Sequence, residues 1–226
     1  MKIQNEYLTL REEVVKYLRN KIITGDIEQG QRIIEANIQS ELGISRGPVR
    51  EALRQLEGDG LVEYKPRKGC TVKIITAKDA EESYVMRTAL ENLSVRLCNG
   101  HFSDETIAKM KDIVGKLDQF SNINDIINIV EYDEKFHELI IREINNDKLY
   151  EMWSSLSNLN AMIFYKLYKS PYSPNELLGH NHEILVESIE NGNVNTICTE
   201  IQYHYMIVAK NLYKEENKEV EFDFKL

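Results

Sequence analysis

From Ala77 to about Glu215, apolar residues recur every three or four positions with only short polar interruptions. A hydrophobic period near that of the α-helix, held over such a length, is not one that strands can bury, so this part must fold as packed helices. The interruptions fall at Asn99-Gly100, Ser121-Asn122, Asn145-Asn146, Ser170-Pro171 and Asn191-Gly192-Asn193, residue types that stop helices and form turns. They predict about six helices, over roughly 77–99, 103–120, 124–144, 147–168, 174–191 and 193–215. Short connections between amphipathic helices give an antiparallel bundle.

The chain before this point reads differently. Thr9-x-x-Glu12 is a capping-box pattern, followed by Leu10, Val14, Leu18 and Ile22 at helical spacing and by Gly25 as a stop. A second helix is expected over about Glu35 to Leu42, then a tight turn at Gly43-Ile44. Ser45 is placed to cap a third helix running to about Asp59, with Pro48 tolerated in its first turn and Gly60 as its stop. Leu61 to Lys65 and Cys70 to Ile75 alternate around Pro66-Arg67-Lys68-Gly69, which reads as a hairpin. Helix, helix, tight turn, helix, hairpin is the layout of a winged helix-turn-helix. The expected fold is therefore mainly α, with this module at 1–76 and the helical bundle at 77–226.

Charge divides at the same place. The chain carries a net charge of −9, which by itself argues against nucleic acid. Yet residues 1–77 hold 13 basic and 11 acidic side chains, whereas 78–226 hold 15 and 26. A slightly basic module joined to a strongly acidic one points to two different partners. No apolar run is long enough to span a membrane, and the first residues lack the apolar core of a signal peptide. Cys70, Cys98 and Cys198 are scattered and form no CxxC pair, so they read as reduced, buried thiols of a cytoplasmic protein.

The third helix sets Arg46, Arg50 and Arg54 four residues apart, on one stripe, with Val49, Ala52, Leu53 and Leu56 on the opposite face. Arginine near the start of a recognition helix can grip the O6 and N7 of guanine with two bonds. Lys65, Arg67 and Lys68 sit on the expected wing, within reach of phosphates. Backbone N–H groups near Ser45 and Gly47 suit a phosphate as well. The run Ser45-Arg46-Gly47-Pro48-Val49-Arg50-Glu51-Ala52-Leu53-x-x-Leu56-x-x-x-Gly60-Leu61-Val62, preceded by Gly25-x-x-x-x-Gly30 and followed by Arg67-Lys68-Gly69, resembles the DNA-binding domain of GntR-family regulators. The resemblance implies that Arg46 and Arg50 read bases and that Gly69 marks the tip of the wing. In one respect the chain departs from the family: Ala36 follows Glu35 where a basic residue is frequent.

All five histidines lie in the second module. Asp133 and His137 are four apart and share a face with Ile126, Ile129, Val130, Ile140 and Ile144, so the pair points inward. His182 shares its face with Leu185, Val186 and Ile189, and His204 with Ile197, Ile201 and Val208. His180 sits about 200° round the helix from His182 (100° per residue) and is set aside; His101, beside a turn, reads as a surface residue. Each inward histidine could satisfy a local hydrogen bond, but three imidazoles and a carboxylate on inward faces also suit a divalent metal. Arg87-x-x-Leu90-Glu91, Asp133-x-x-x-His137, the spacing around His182 and the late His204 resemble the FCD effector domain of the FadR-like branch. That resemblance implies a metal held by Asp133, His137, His182 and His204, with open positions for water or an effector carboxylate. Zinc is the first choice, with nickel, manganese or iron also compatible.

Arg87 is the expected partner of the effector's acid group; its alternative is an ion pair with Glu91 one turn away. Asn160, Tyr165 and Tyr203 are further candidates for the cavity wall. The expected function is a ligand-responsive transcription regulator, a repressor, that binds palindromic operator DNA as a homodimer and responds to a small carboxylic acid. Two rivals stand beside it: a purely structural metal site, and a metal-dependent hydrolase, for which the sequence offers no partnering general base.

Overall fold

The computed structural model describes residues 9–65, 67, 69–168 and 178–217. Lys68, the Ser170-Pro171 break and the side chain of His180 lie outside the described residues. The chain divides into two compact units, Met1–Ile74 and Ile75–Leu226.

The first unit contains α1 (Leu10–Ile23), α2 (Glu35–Leu42), α3 (Arg46–Gly58), β1 (Val62–Lys65) and β2 (Gly69–Val72). The expected capping box is present: Thr9 and Glu12 each bond the other's backbone N–H. Gly43 closes α2 in the left-handed conformation, at φ 64°, which makes the turn into α3 short. Val14, Leu18 and Ile22 of α1 bury with Val49, Ala52, Leu53 and Leu56 of α3, so the arginine stripe is left outside. The hairpin pairs Val62 with Val72 and Lys65 with Gly69. Gly30 and Ile33 donate to Val72 and Cys70, adding a short third edge. The second strand ends at Val72 and not at the expected Ile75. Its partner begins just after Gly60, whose φ of 75° turns the chain, so beyond the Lys73 N–H bond to Leu61 there is no backbone left to pair.

The second unit is helical throughout its described length: α4 (Ala77–Leu97), α5 (Asp104–Asn122), α6 (Ile126–Arg142), α7 (Asp147–Ser154), α8 (Ser157–Tyr168), α9 (Leu178–Asn191) and α10 (Val194–Glu215). The polar breaks supply N-caps, with Ser103, Asp125, Asn146 and Asn193 each accepting from a backbone N–H three residues on. Where one helix was expected over 147–168, there are two. Ser154 and Ser155 turn their hydroxyls back onto the carbonyls of Glu151 and Met152, which competes with continued helix. The turn after α4 packs on the turn before α10. A Cβ at Gly100 would lie 2.6 Å from the Gly192 carbonyl oxygen, so only glycine fits there. α4 packs along α10, and α5 lies against α6 and α9, around a core that includes Ile129, Phe136, Ile140, Leu185, Ile197 and Ile201. Among the described residues no helix is long and apolar enough to cross a membrane.

Candidate metal centre and nucleic-acid interface

α6 turns two polar side chains, Asp133 and His137, into the apolar interior of the bundle, and α9 and α10 turn one each, His182 and His204. Ligand atoms of Asp133, His137, His182 and His204 all lie within 4.8 Å of one another. His137 Nε2 is 3.1 Å from His204 Nε2, and His182 Nε2 is 3.2 Å from Asp133 Oδ1. Two donors bound to one ion at about 2.1 Å stand at most about 4.2 Å apart, so this cluster needs only small adjustment to share an ion.

A shell of polar residues behind the cluster sets its chemistry. Glu91 is fully buried and accepts three bonds: from His137 Nδ1 at 2.9 Å, from Trp153 Nε1 at 2.9 Å and from the Tyr205 hydroxyl at 2.5 Å. Burial alone raises a carboxyl pKa; here His137 above all, then Arg87 and Tyr205, bring Glu91 below its usual range and keep it ionised. An ionised carboxylate only accepts, so the proton of neutral His137 sits on Nδ1 and the Nε2 lone pair faces the cluster. This is how an outer carboxylate prepares a ligating histidine. Burial lowers the basicity of His137, but the Glu91 charge outweighs it and the pKa ends raised. His204 moves the other way: burial and then the neighbouring imidazoles of His182 and His137 hold it well below its ordinary value, in the neutral form that binds a cation. Burial pushes Asp133 up, yet the hydrogen bond to His182 and the imidazoles around it hold its carboxyl well below the usual range. The donor set fits a divalent ion: ionised carboxylate, imidazoles with inward nitrogens, and a second shell that fixes one tautomer.

Arg87 is also fully buried but does not pair with Glu91 directly. Its Nε donates to the Tyr205 hydroxyl at 3.0 Å, and its two Nη atoms meet Glu134 at 3.3 and 3.1 Å. Its Cζ stands 4.4 Å over the Trp153 ring. Tyr205 and Trp153, which both donate to Glu91, stand between Arg87 and Glu91. Asn160 belongs to the same network, donating toward Asp133 and Glu134. Tyr203, a candidate for the cavity wall, is 61% exposed and faces out, because it precedes His204 on α10 and so points about 100° away. Tyr165 is buried. His101 is exposed. The three cysteines are free; Cys98 is only half-buried, not interior as expected, because it caps α4 beside the Asn99-Gly100 turn. Glu134, Trp153 and Tyr205 were not singled out in the sequence. A second acid beside Asp133, the single tryptophan, and a tyrosine beside His204 were the available signals.

In the first unit Arg46, Arg50 and Arg54 are exposed, as are Ser45, Gly47 and Arg67. Arg46 and Arg50 both donate from Nε to Glu35 Oε2, at 2.8 and 3.0 Å. The arginines lower the Glu35 pKa, Arg46 most directly through its hydrogen bond. Ser45 occupies the N-cap position of α3, but its side chain makes no capping bond, so the first-turn N–H groups have no hydroxyl over them. Arg67 and Gly69 both have positive φ, 65° and 78°, where the hairpin turns.

A recognition helix with an outward arginine stripe, a hairpin wing and a helical bundle around a buried polar centre together define a two-module, winged helix-turn-helix transcription regulator. The sequence model of the bacterial regulatory proteins of the gntR family matches residues 10–72, and that of the FCD domain matches residues 82–206. The chain belongs to the GntR family and carries an FCD domain. It is 27% identical over 205 residues to the HTH-type transcriptional regulator YdhC of Bacillus subtilis (strain 168), covering 89% of this chain and 91% of that one. It is 28% identical over 177 residues to the gluconate operon transcriptional repressor of Bacillus licheniformis, with 76% and 72% covered. The crystal structure of a putative GntR transcriptional regulator from Rhodococcus sp. RHA1 superposes with a TM-score of 0.76 at 22% identity, covering 90% of this chain and 97% of that one, which shows the shared fold. The family and these relatives are transcriptional regulators, not enzymes. GntR-family regulators bind DNA, and the FCD domain points to a small-molecule effector.

Proposed function

We propose that this chain is a metal-containing repressor that binds palindromic operator DNA as a homodimer and responds to a small organic acid. Residues 1–76 form the reading head and residues 77–226 the sensor. The observation that carries this reading is the convergence of Asp133, His137, His182 and His204 within 4.8 Å, backed by Glu91. Zinc suits three imidazoles and one carboxylate, and a further position on the ion is left for an effector carboxylate. That some relatives are named repressors supports the sign of regulation.

On the DNA side, Arg46 and Arg50 are the base-reading residues. Glu35 holds each guanidinium through Nε, which leaves the Nη groups for a guanine edge and reduces the freedom lost on binding. Arg54, Arg67 and Lys68 meet phosphates, as do the N–H groups at Ser45 and Gly47; Gly69 forms the wing tip. Met86, Leu93 and Leu97 lie on one exposed stripe of α4, and we assign this stripe to contact with a second copy. Two reading heads would then meet half-sites about one helical turn apart. The effector acts by its differential affinity for two arrangements of the dimer.

A structural role for the metal is favoured by one fact, that Arg87 is already engaged by Glu134 and Tyr205. Thermal shift with metal, chelator and carboxylic acids separates the readings. Stabilisation by metal and further stabilisation by an acid supports the sensor, and metal stabilisation with no acid effect supports the structural role. Operator binding by gel shift, with and without metal, completes the test.

A further inference from the structure

Arg87, expected from the sequence to meet the acid group of an effector, is linked to the cluster through Glu134 and Asn160, which donates toward both Glu134 and Asp133. In this structure the Arg87 fork already grips a carboxylate. Nη1 donates to Glu134 Oε1 at 3.3 Å and Nη2 stands 3.1 Å from Oε2. Only the Nη1 contact has hydrogen-bond geometry; Nη2 meets Oε2 as an ion-pair contact and has no hydrogen-bond partner among the described residues, so Glu134 fills the fork without satisfying it fully. The two members of the pair differ in freedom. Arg87 is wholly enclosed, with Tyr205 on its Nε and Trp153 against its plane. Glu134 keeps 22% of its side chain exposed, so it is the member with a way out to water. It follows Asp133 on α6, beside the histidine cluster.

We propose that Glu134 is an internal competitor, a carboxylate of the chain itself that fills the Arg87 fork until an acidic effector takes its place. This rests on the reading of an acid effector at this site. Two consequences follow. First, a tethered carboxylate acts at high effective concentration, so an acid that offers only one carboxylate to Arg87 competes poorly. The favoured ligand is a di- or hydroxycarboxylate with a second anchoring group. Second, the exchange reaches α8, because Glu134 also accepts from the Ser157 hydroxyl and from Asn160 at 3.2 Å. At the other end of α8, Lys166 donates to the Ile75 carbonyl at 2.7 Å and stands 3.4 Å from Glu216, whose carboxylate accepts from the Ala77 N–H. The helix that feels the exchange therefore also clasps the first residues of this unit.

Calorimetric titration of the metal-loaded, full-length protein with malonate, succinate and malate tests the proposal, with the corresponding diamides as uncharged controls. Glu134→Gln keeps the shape and removes the competing charge. It is expected to tighten acid binding by about tenfold or more, with metal content unchanged. Ser157→Ala leaves both charges in place but loosens Glu134, and is expected to tighten acid binding by about threefold. This second variant decides the matter if the first does not fold. Acid binding by the wild type that is equal or weaker in the variants overturns the competitor role and leaves the acid-effector reading intact. No acid binding by any of the three proteins overturns both.

Discussion

The molecule uses arginine–carboxylate pairing twice, in opposite settings. In the first unit Glu35 draws Arg46 and Arg50 together at the surface, where more than half of each arginine side chain is exposed. In the second unit Arg87 meets Glu134 with its guanidinium wholly inside. Water screens the first arrangement, so it contributes little to stability and its arginines can exchange partners readily. The second is costly to break from one side, because the remaining charge would be buried alone. A surface pair of this kind suits a reading head that meets many DNA sequences. A buried pair suits a sensor that rearranges only when another anion substitutes for the one removed.

On the buried side the largest effect is expected from His137→Ala, in the shell that also holds Arg87. It removes an inward imidazole and leaves the Glu91 charge without its strongest partner. A stability loss of about 3–5 kcal/mol is expected, measured by denaturant unfolding of the metal-free protein, together with loss of metal. On the surface side, Arg50→Ala is expected to leave the fold intact, with unfolding stability changed by less than about 0.5 kcal/mol. Specific operator binding should weaken by about 1–3 kcal/mol, read by fluorescence anisotropy at fixed salt. Unchanged operator affinity would remove α3 as the reading helix. Glu91→Gln probes the shell behind the ligands. Metal affinity is expected to fall by about 10- to 100-fold in competition with a chromogenic chelator, while operator affinity of the metal-loaded protein is kept. The smallest effect belongs to Lys109→Ala, which breaks an exposed pair with Glu105. Its unfolding midpoint should shift by no more than about 0.5 kcal/mol equivalent.

The same contrast explains what was legible in the sequence. The arginine stripe of α3 was readable because its members lie one turn apart on one helix, and helical spacing alone places them together. The inward direction of Asp133, His137, His182 and His204 was readable for the same reason, from the apolar residues sharing their faces. The partners of the stripe and the shell were not. Glu35 reaches Arg46 and Arg50 from another helix, and Glu91, Glu134, Trp153 and Tyr205 come from α4, α6, α7 and α10. No local period records which of two nearby acids a buried arginine will choose. An ion pair of Arg87 with Glu91, one turn away, was the alternative to an effector contact, yet Tyr205 stands between the two and Arg87 meets Glu134 instead. Among the described residues, helix ends followed the polar breaks closely because Ser, Asp and Asn caps are local. The split between α7 and α8 is not legible in the sequence, because two adjacent serines bonding back to carbonyls leave no glycine or proline to mark it.

The central claim is tested most directly by counting metal on the protein. Elemental analysis and native mass spectrometry of untagged protein, purified without added metal, should find one divalent ion per chain in the wild type and none in His137→Ala or His182→Ala variants that remain folded by circular dichroism. A folded wild type free of metal even after incubation with zinc, or a variant that keeps its ion after losing these imidazoles, would contradict it.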